Sequence, residues 1–153
     1  MREAAWYVDS SVVLRALVNR SAAAQTWLQG VISRGEALYG SRMLELEVRR
    51  VIRNTGQPQY VADDCLARFQ LITITDDLID DAIALPYPTG AGDSLHLATA
   101  IQIATLPLTL VTHDAQMARA AQAIGRFPVI DPVTDDPLRP PAAPPQRTDS
   151  QPS

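Results

Sequence analysis

Four acidic residues, Asp9, Glu47, Asp93 and Asp114, carry the chemistry that this chain's residue types and spacing can support. Asp9 closes a short apolar run, Trp6-Tyr7-Val8, and Asp114 follows another, Leu108 to Thr112, after His113. Both stand where a strand should give way to a helix. Asp at such a junction is a favoured N-cap, so a structural role competes with a chemical one at each position. Glu47 lies in a segment whose apolar residues recur at Leu44, Val48, Val51 and Ile52, which puts it on the inward edge of an amphipathic helix. Arg50, three residues on, could pair with it. Glu45 points almost oppositely and has Arg49 at i+4, the spacing of a solvated ion pair. Asp93 precedes Ser94-Leu95-His96-Leu97-Ala98-Thr99-Ala100-Ile101, a helix apolar over most of its surface and therefore central.

Carboxylates that meet must be neutralised. Two of them 4 Å apart repel by roughly 4 kcal/mol at an effective dielectric near 20, so several such contacts rival a domain's whole stability of roughly 5–15 kcal/mol. Convergence of the four acids would require either protons on some of them or a hard cation among them. An all-oxygen set without a cysteine or a histidine pair selects Mg²⁺ or Mn²⁺ over Zn²⁺. Such an ion can orient a phosphodiester, activate water and stabilise a leaving oxygen.

The elements that must position these acids follow from the apolar pattern. Strands are expected at 6–8, 37–39, 71–74, 108–112 and 127–130. Helices are expected at 11–19, 22–33, 41–53 with Ser41 as N-cap, 58–68 from Pro58, 77–85, 93–104 from Asp93, and 114–124. Gly90-Ala91-Gly92 reads as a flexible loop, since it lacks the third glycine and the preceding strand of a dinucleotide motif. Alternation of strand and helix predicts an α/β fold, a mainly parallel sheet covered on both faces, with its site at the carboxyl ends of the strands. Residues 1–130 form the domain. Residues 131–153, with seven of the twelve prolines, read as a disordered or extended tail.

Val8-Asp9-Ser10-Ser11, Glu47-Val48-Arg49-Arg50, Asp93 through Ala100, and Val111-Thr112-His113-Asp114 with Ala120-Ala121 and Gly125 occur in an order and spacing that resemble the PIN-domain ribonucleases, specifically VapC-type toxins. The resemblance covers residues 6 to about 130. It implies a three-layer α/β/α fold with a five-stranded sheet in order 3-2-1-4-5. It also implies Mg²⁺- or Mn²⁺-dependent cleavage of RNA to 5′-phosphate and 3′-hydroxyl ends, a homodimer, and a cognate antitoxin that occupies the active site. The family's acidic quartet maps onto Asp9, Glu47, Asp93 and Asp114, and its hydroxyls onto Ser11 and Thr112. Gly90-Ala91-Gly92 departs from the run that relatives often carry before the third acid, which bears on the rim of the site and not on its acids.

Composition narrows the field further. The thirteen basic residues are all Arg, so Walker-A phosphate binding and Schiff-base chemistry have no lysine to use. A dehalogenase-like phosphatase would fit Asp9 but needs a second Asp where Ser11 stands. Net charge is −4, so RNA must be held by a local cationic surface, with Arg15, Arg49 and Arg50 as candidates beside Arg42 and Arg53. His96 and His113 read as hydrogen-bonding residues, Cys65 as a buried filler, and Asp76, Asp77, Asp80 and Asp81 as a solvated helix start. No apolar run reaches the roughly 18 residues of a membrane span and no signal peptide is evident, so a cytoplasmic location is expected. A non-catalytic module that binds RNA or antitoxin is the alternative reading.

Overall fold

The structure, a computed structural model, describes residues 4–105 and 107–136. Five strands, β1 (Ala5–Val8), β2 (Ala37–Ser41), β3 (Phe69–Ile72), β4 (Leu108–Val111) and β5 (Val129–Ile130), form one sheet in the order β3-β2-β1-β4-β5. Every pairing is parallel. This is the sheet expected from the sequence.

Seven helices cover it: α1 (Ser10–Leu17), α2 (Ala22–Ser33), α3 (Arg42–Asn54), α4 (Tyr60–Leu66), α5 (Asp76–Ile83), α6 (Ala91–Gln102) and α7 (Ala115–Ile124). Alternation along β1 divides the core. Val8 joins Val12, Val13, Leu38, Leu44, Val48, Ile52 and Val111 on the face covered by α1 to α4. Tyr7 turns to the other face and packs with Leu97, Ala100, Leu110, Met117 and Phe127 beneath α6 and α7. Strands buried on both faces explain why the apolar runs are continuous and do not alternate with polar residues. α5 closes against α6 through Leu78, Leu95 and Ala98.

Several boundaries differ from expectation, four of them with a structural reason. The third strand is 69–72, not 71–74, because Phe69 is drawn into the core and pairs with Leu38, while Ile74 leaves the sheet to pack against α5 and α6. α4 begins at Tyr60, two residues beyond Pro58. Gly90 is the extended N-cap of α6, so Ala91 and Gly92 form its first turn and Asp93 sits inside the helix instead of opening it. The domain boundary placed at residue 130 falls within packed structure: Val133 is buried, Asp131 meets His113, and Asp136 pairs with Arg15. The remainder of the expected tail, 137–153, lies outside the described residues.

Gly40 fixes the entry into α3. A Cβ at this position would stand 2.4 Å from the Cδ2 of Leu44, a fully buried side chain. Next to it, the Ser41 hydroxyl caps α3 by accepting from the Met43 N–H at 3.0 Å. Gly40→Val is therefore expected to destabilise the fold by about 1–3 kcal/mol through overpacking. Thermal denaturation checks this; an unchanged midpoint would mean that Leu44 moves aside freely.

Candidate active site

Asp9 leaves the carboxyl end of the central strand and is itself buried. Its Oδ1 accepts from the Ser11 N–H at 3.1 Å and the Ser11 hydroxyl at 2.5 Å, and its Oδ2 accepts from the Thr112 hydroxyl at 2.7 Å. The same two hydroxyls lock the neighbouring strand end. Ser11 Oγ accepts from the His113 N–H at 2.8 Å, and Thr112 Oγ1 accepts from the Asp114 N–H at 3.0 Å. Asp9 thus caps α1 and is also fixed from β4. Burial pushes its pKa up, more than the Ser11 hydrogen bond, the facing His96 and Thr112 can pull it down.

Asp114 caps α7 in the same manner, its Oδ1 accepting from the N–H groups of Gln116 at 2.8 Å and Met117 at 3.1 Å. Capping consumes one oxygen and leaves the other unused. Asp93 rises from the first turn of α6 to meet it. Burial raises the Asp93 carboxyl to about 6, helped by the nearby carboxylate of Asp114 and by the charge of Asp9. Three carboxyls therefore gather where β1 and β4 end and α6 begins.

Glu47 stands beside them on α3, held by two donors. Ser10 Oγ donates to Oε2 at 2.8 Å, and Nε2 of His96 lies 2.8 Å from Oε1. Burial alone would raise the Glu47 pKa; the contact with His96 and the Ser10 hydrogen bond outweigh it and hold the carboxyl below its ordinary value. His96 is buried and its other nitrogen, Nδ1, lies 3.0 Å from the hydroxyl of fully buried Tyr7. The ring also lies near Asp9 and Asp93, so it is the common neighbour of three of the four acids.

Among the described residues no three His, Cys, Asp or Glu side chains form a ready-made metal cage. The donor set nevertheless suits a hard cation. It is all oxygen, no Arg forms an ion pair with these four acids among the described residues, and Asp93, raised by burial and by the carboxylates of Asp114 and Asp9, keeps its proton up to about pH 6.

The geometry has a family counterpart. The PIN domain family profile matches residues 6–123, more than three quarters of the chain. The chain belongs to the PIN domain family.

A relative of this PIN domain, named Ribonuclease VapC47, from Mycobacterium tuberculosis (strain CDC 1551 / Oshkosh), is 27% identical over 124 residues, covering 78% of this chain and 91% of the relative. VapBC2 from Rickettsia felis, solved with a DNA fragment from its promoter, contains a chain of the same fold, with TM-score 0.64 at 15% identity over 83% of this chain and 98% of that one. A toxin–antitoxin complex from Klebsiella pneumoniae contains another, with TM-score 0.63 at 23% identity over 82% of this chain and 96% of that one.

The cationic candidates of this PIN domain fare unequally. Arg15 is tied to Asp136. Arg49 is held by Glu45 at 3.2 Å and Asp63 at 2.6 Å, the first being the i,i+4 pair expected from the sequence. Arg50 does not pair with Glu47; it is exposed and has no ion pair among the described residues. Arg42 spans to Glu45 at 2.7 Å. Ser10 and Tyr7 were not legible as site residues. Ser10 looks like an ordinary first helical residue and Tyr7 like sheet core, and only the packing of α3 against α1 and of α6 against β1 gives them polar partners.

Proposed function

We propose that this PIN domain is a Mg²⁺- or Mn²⁺-dependent endoribonuclease that acts as the toxin of a toxin–antitoxin pair. The crowding of Asp93 against Asp114 and Asp9 at the carboxyl edge of β1 and β4 carries this reading, because three acids there call for a divalent countercharge. The relative named as a ribonuclease supports RNA as the substrate, and the solved toxin–antitoxin complex from Klebsiella pneumoniae supports an antitoxin partner.

Asp9, Glu47, Asp93 and Asp114 would hold the ion. When bound, it supplies positive charge to the scissile phosphodiester and lowers the pKa of water. The chain's own part is orientation. Ser11 and Thr112 aim both oxygens of Asp9, the backbone of α7 fixes Asp114, and Ser10 with His96 fixes Glu47. Arg50, three residues beyond Glu47 on α3, is the available phosphate contact. In-line attack by water with a 3′-oxygen leaving group gives 5′-phosphate and 3′-hydroxyl ends. A homodimer in the cytoplasm completes the proposal; among the described residues no helix is long and apolar enough to cross a membrane.

Purified protein is expected to cut RNA with Mg²⁺ or Mn²⁺, to stop in excess EDTA, and to be inhibited by the protein encoded beside its gene. Undiminished cutting in EDTA would refute metal dependence, and no cutting with either ion would refute the nuclease. The lack of a preformed cage favours one rival, a non-catalytic module that grips RNA or antitoxin equally with or without divalent ions.

A further inference from the structure

We infer that His96 is a positioning residue for Glu47, with its ring proton on Nε2 and the Tyr7 hydroxyl bonded to Nδ1. An imidazole with a single ring proton offers one donor and one acceptor. Nδ1 faces the Tyr7 hydroxyl at 3.0 Å and Nε2 faces Glu47 Oε1 at 2.8 Å. Tyr7 is fully buried beneath the sheet, and burial raises its hydroxyl pKa far above the ordinary value, so it keeps its proton. The Glu47 carboxylate can only accept, so Nε2 carries the ring proton and donates to it, which leaves Nδ1 to accept from the Tyr7 hydroxyl.

The consequence falls on Glu47. A glutamate on a helix surface has rotamer freedom that must be lost before it can act in one geometry. Here each oxygen receives one hydrogen bond, from Ser10 at the start of α1 and from His96 within α6, so two elements remote in sequence fix the group. Each carboxylate oxygen has two lone pairs, so one on each remains for an ion. His96 has neither nitrogen to spare, and it acts through Glu47, not on the ion. Its ring is held edge-on to Tyr7, with centroids 6.0 Å apart and planes at 70°.

The metal-affinity consequence rests on the proposed nuclease site; the proton assignment does not. Long-range ¹H–¹⁵N NMR of the full, metal-free chain should show His96 protonated on Nε2, and protonation on Nδ1 alone would overturn the inference. In Mn²⁺ titration calorimetry, His96→Leu should bind about 10- to 100-fold more weakly than wild type. His96→Gln, whose amide can donate from the place of Nε2, should stay within about threefold of wild type. Equal affinity in His96→Leu and wild type, or equal loss in the Gln and Leu variants, overturns the positioning role. Should His96→Leu not fold, Tyr7→Phe takes its place, since it removes one hydroxyl and keeps the ring. That variant should weaken Mn²⁺ at least threefold, and wild-type affinity would overturn the inference. Wild type that binds no Mn²⁺ tells against the nuclease site, while the NMR result still decides where the proton lies.

Discussion

Asp9→Asn is expected to leave the chain folded and to lower Mg²⁺-dependent RNA cleavage by more than about a hundredfold. Loss of a group that only supports a metal ligand typically costs 10- to 100-fold, and removal of a ligand's charge should exceed that range. The variant folds because asparagine is nearly isosteric and keeps Oδ1 for the two donors of Ser11. The cost is local. The new amide group faces Thr112 Oγ1, which now donates to Asp9 while accepting from the Asp114 N–H. Thr112 must turn its proton elsewhere, a loss of about 1 kcal/mol, partly offset by relief of the buried charge. Cleavage and melting measured on one preparation decide the matter. Wild-type cleavage by Asp9→Asn would place the chemistry elsewhere on the protein.

Asp93→Asn should act in opposite directions on stability and activity. In the metal-free protein the Asp93 carboxyl titrates near 6, raised by burial, Asp114 and Asp9 from an ordinary 3.8. A carboxyl whose folded pKa is raised binds its proton more tightly folded than unfolded. Its contribution is therefore fully present below about pH 3.8 and is lost as pH rises through about 6. Asp9, also raised, works in the same sense, whereas Glu47, held below its ordinary value, contributes at higher pH and loses that contribution as pH falls.

Asp93 is only half-buried, so solvent screening reduces its share to roughly 1–2 kcal/mol. Asparagine removes that penalty at pH 8 and forfeits about 0.3–1 kcal/mol of favourable charge at the start of α6. Metal-free Asp93→Asn should thus melt a few degrees above wild type at pH 8 and no higher near pH 4, at roughly 2–4 °C per kcal/mol. Cleavage should be lost, and Mg²⁺ should raise the melting point of wild type much more than that of the variant. This is the usual exchange at a site where function keeps like charges together. A wild-type midpoint that is flat from pH 4 to 8 without metal, and unchanged by Asp93→Asn, would show that the acids do not feel one another.

Local pattern determined much of this molecule. Apolar runs closed by Asp9 and Thr112 placed two acids at strand ends, because a strand buried on both faces must stop where a charge begins. The 3.6-residue period from Leu44 to Ile52 put Glu47 on the inward edge of α3. The rhythm of strand and helix required a parallel sheet. Where local signals competed, the pattern misled: Leu71 to Ile74 has stronger strand character than Phe69-Gln70, yet the value of burying Phe69 set the strand two residues earlier. Gly90-Ala91-Gly92 reads as a loop by propensity, yet it begins α6.

What tertiary structure alone decided is the partner of each acid. Arg50 was the local candidate for Glu47, but the partners are His96, 49 residues away, and Ser10, 37 residues away. Asp93 meets Asp114 only because α6 begins at the edge of the sheet where β4 ends. Periodicity fixes the side of an element on which a residue lies, since that depends on its own backbone. Which atom it touches depends on the packing of elements remote in sequence, and those hydrogen bonds set the charge and aim of the site.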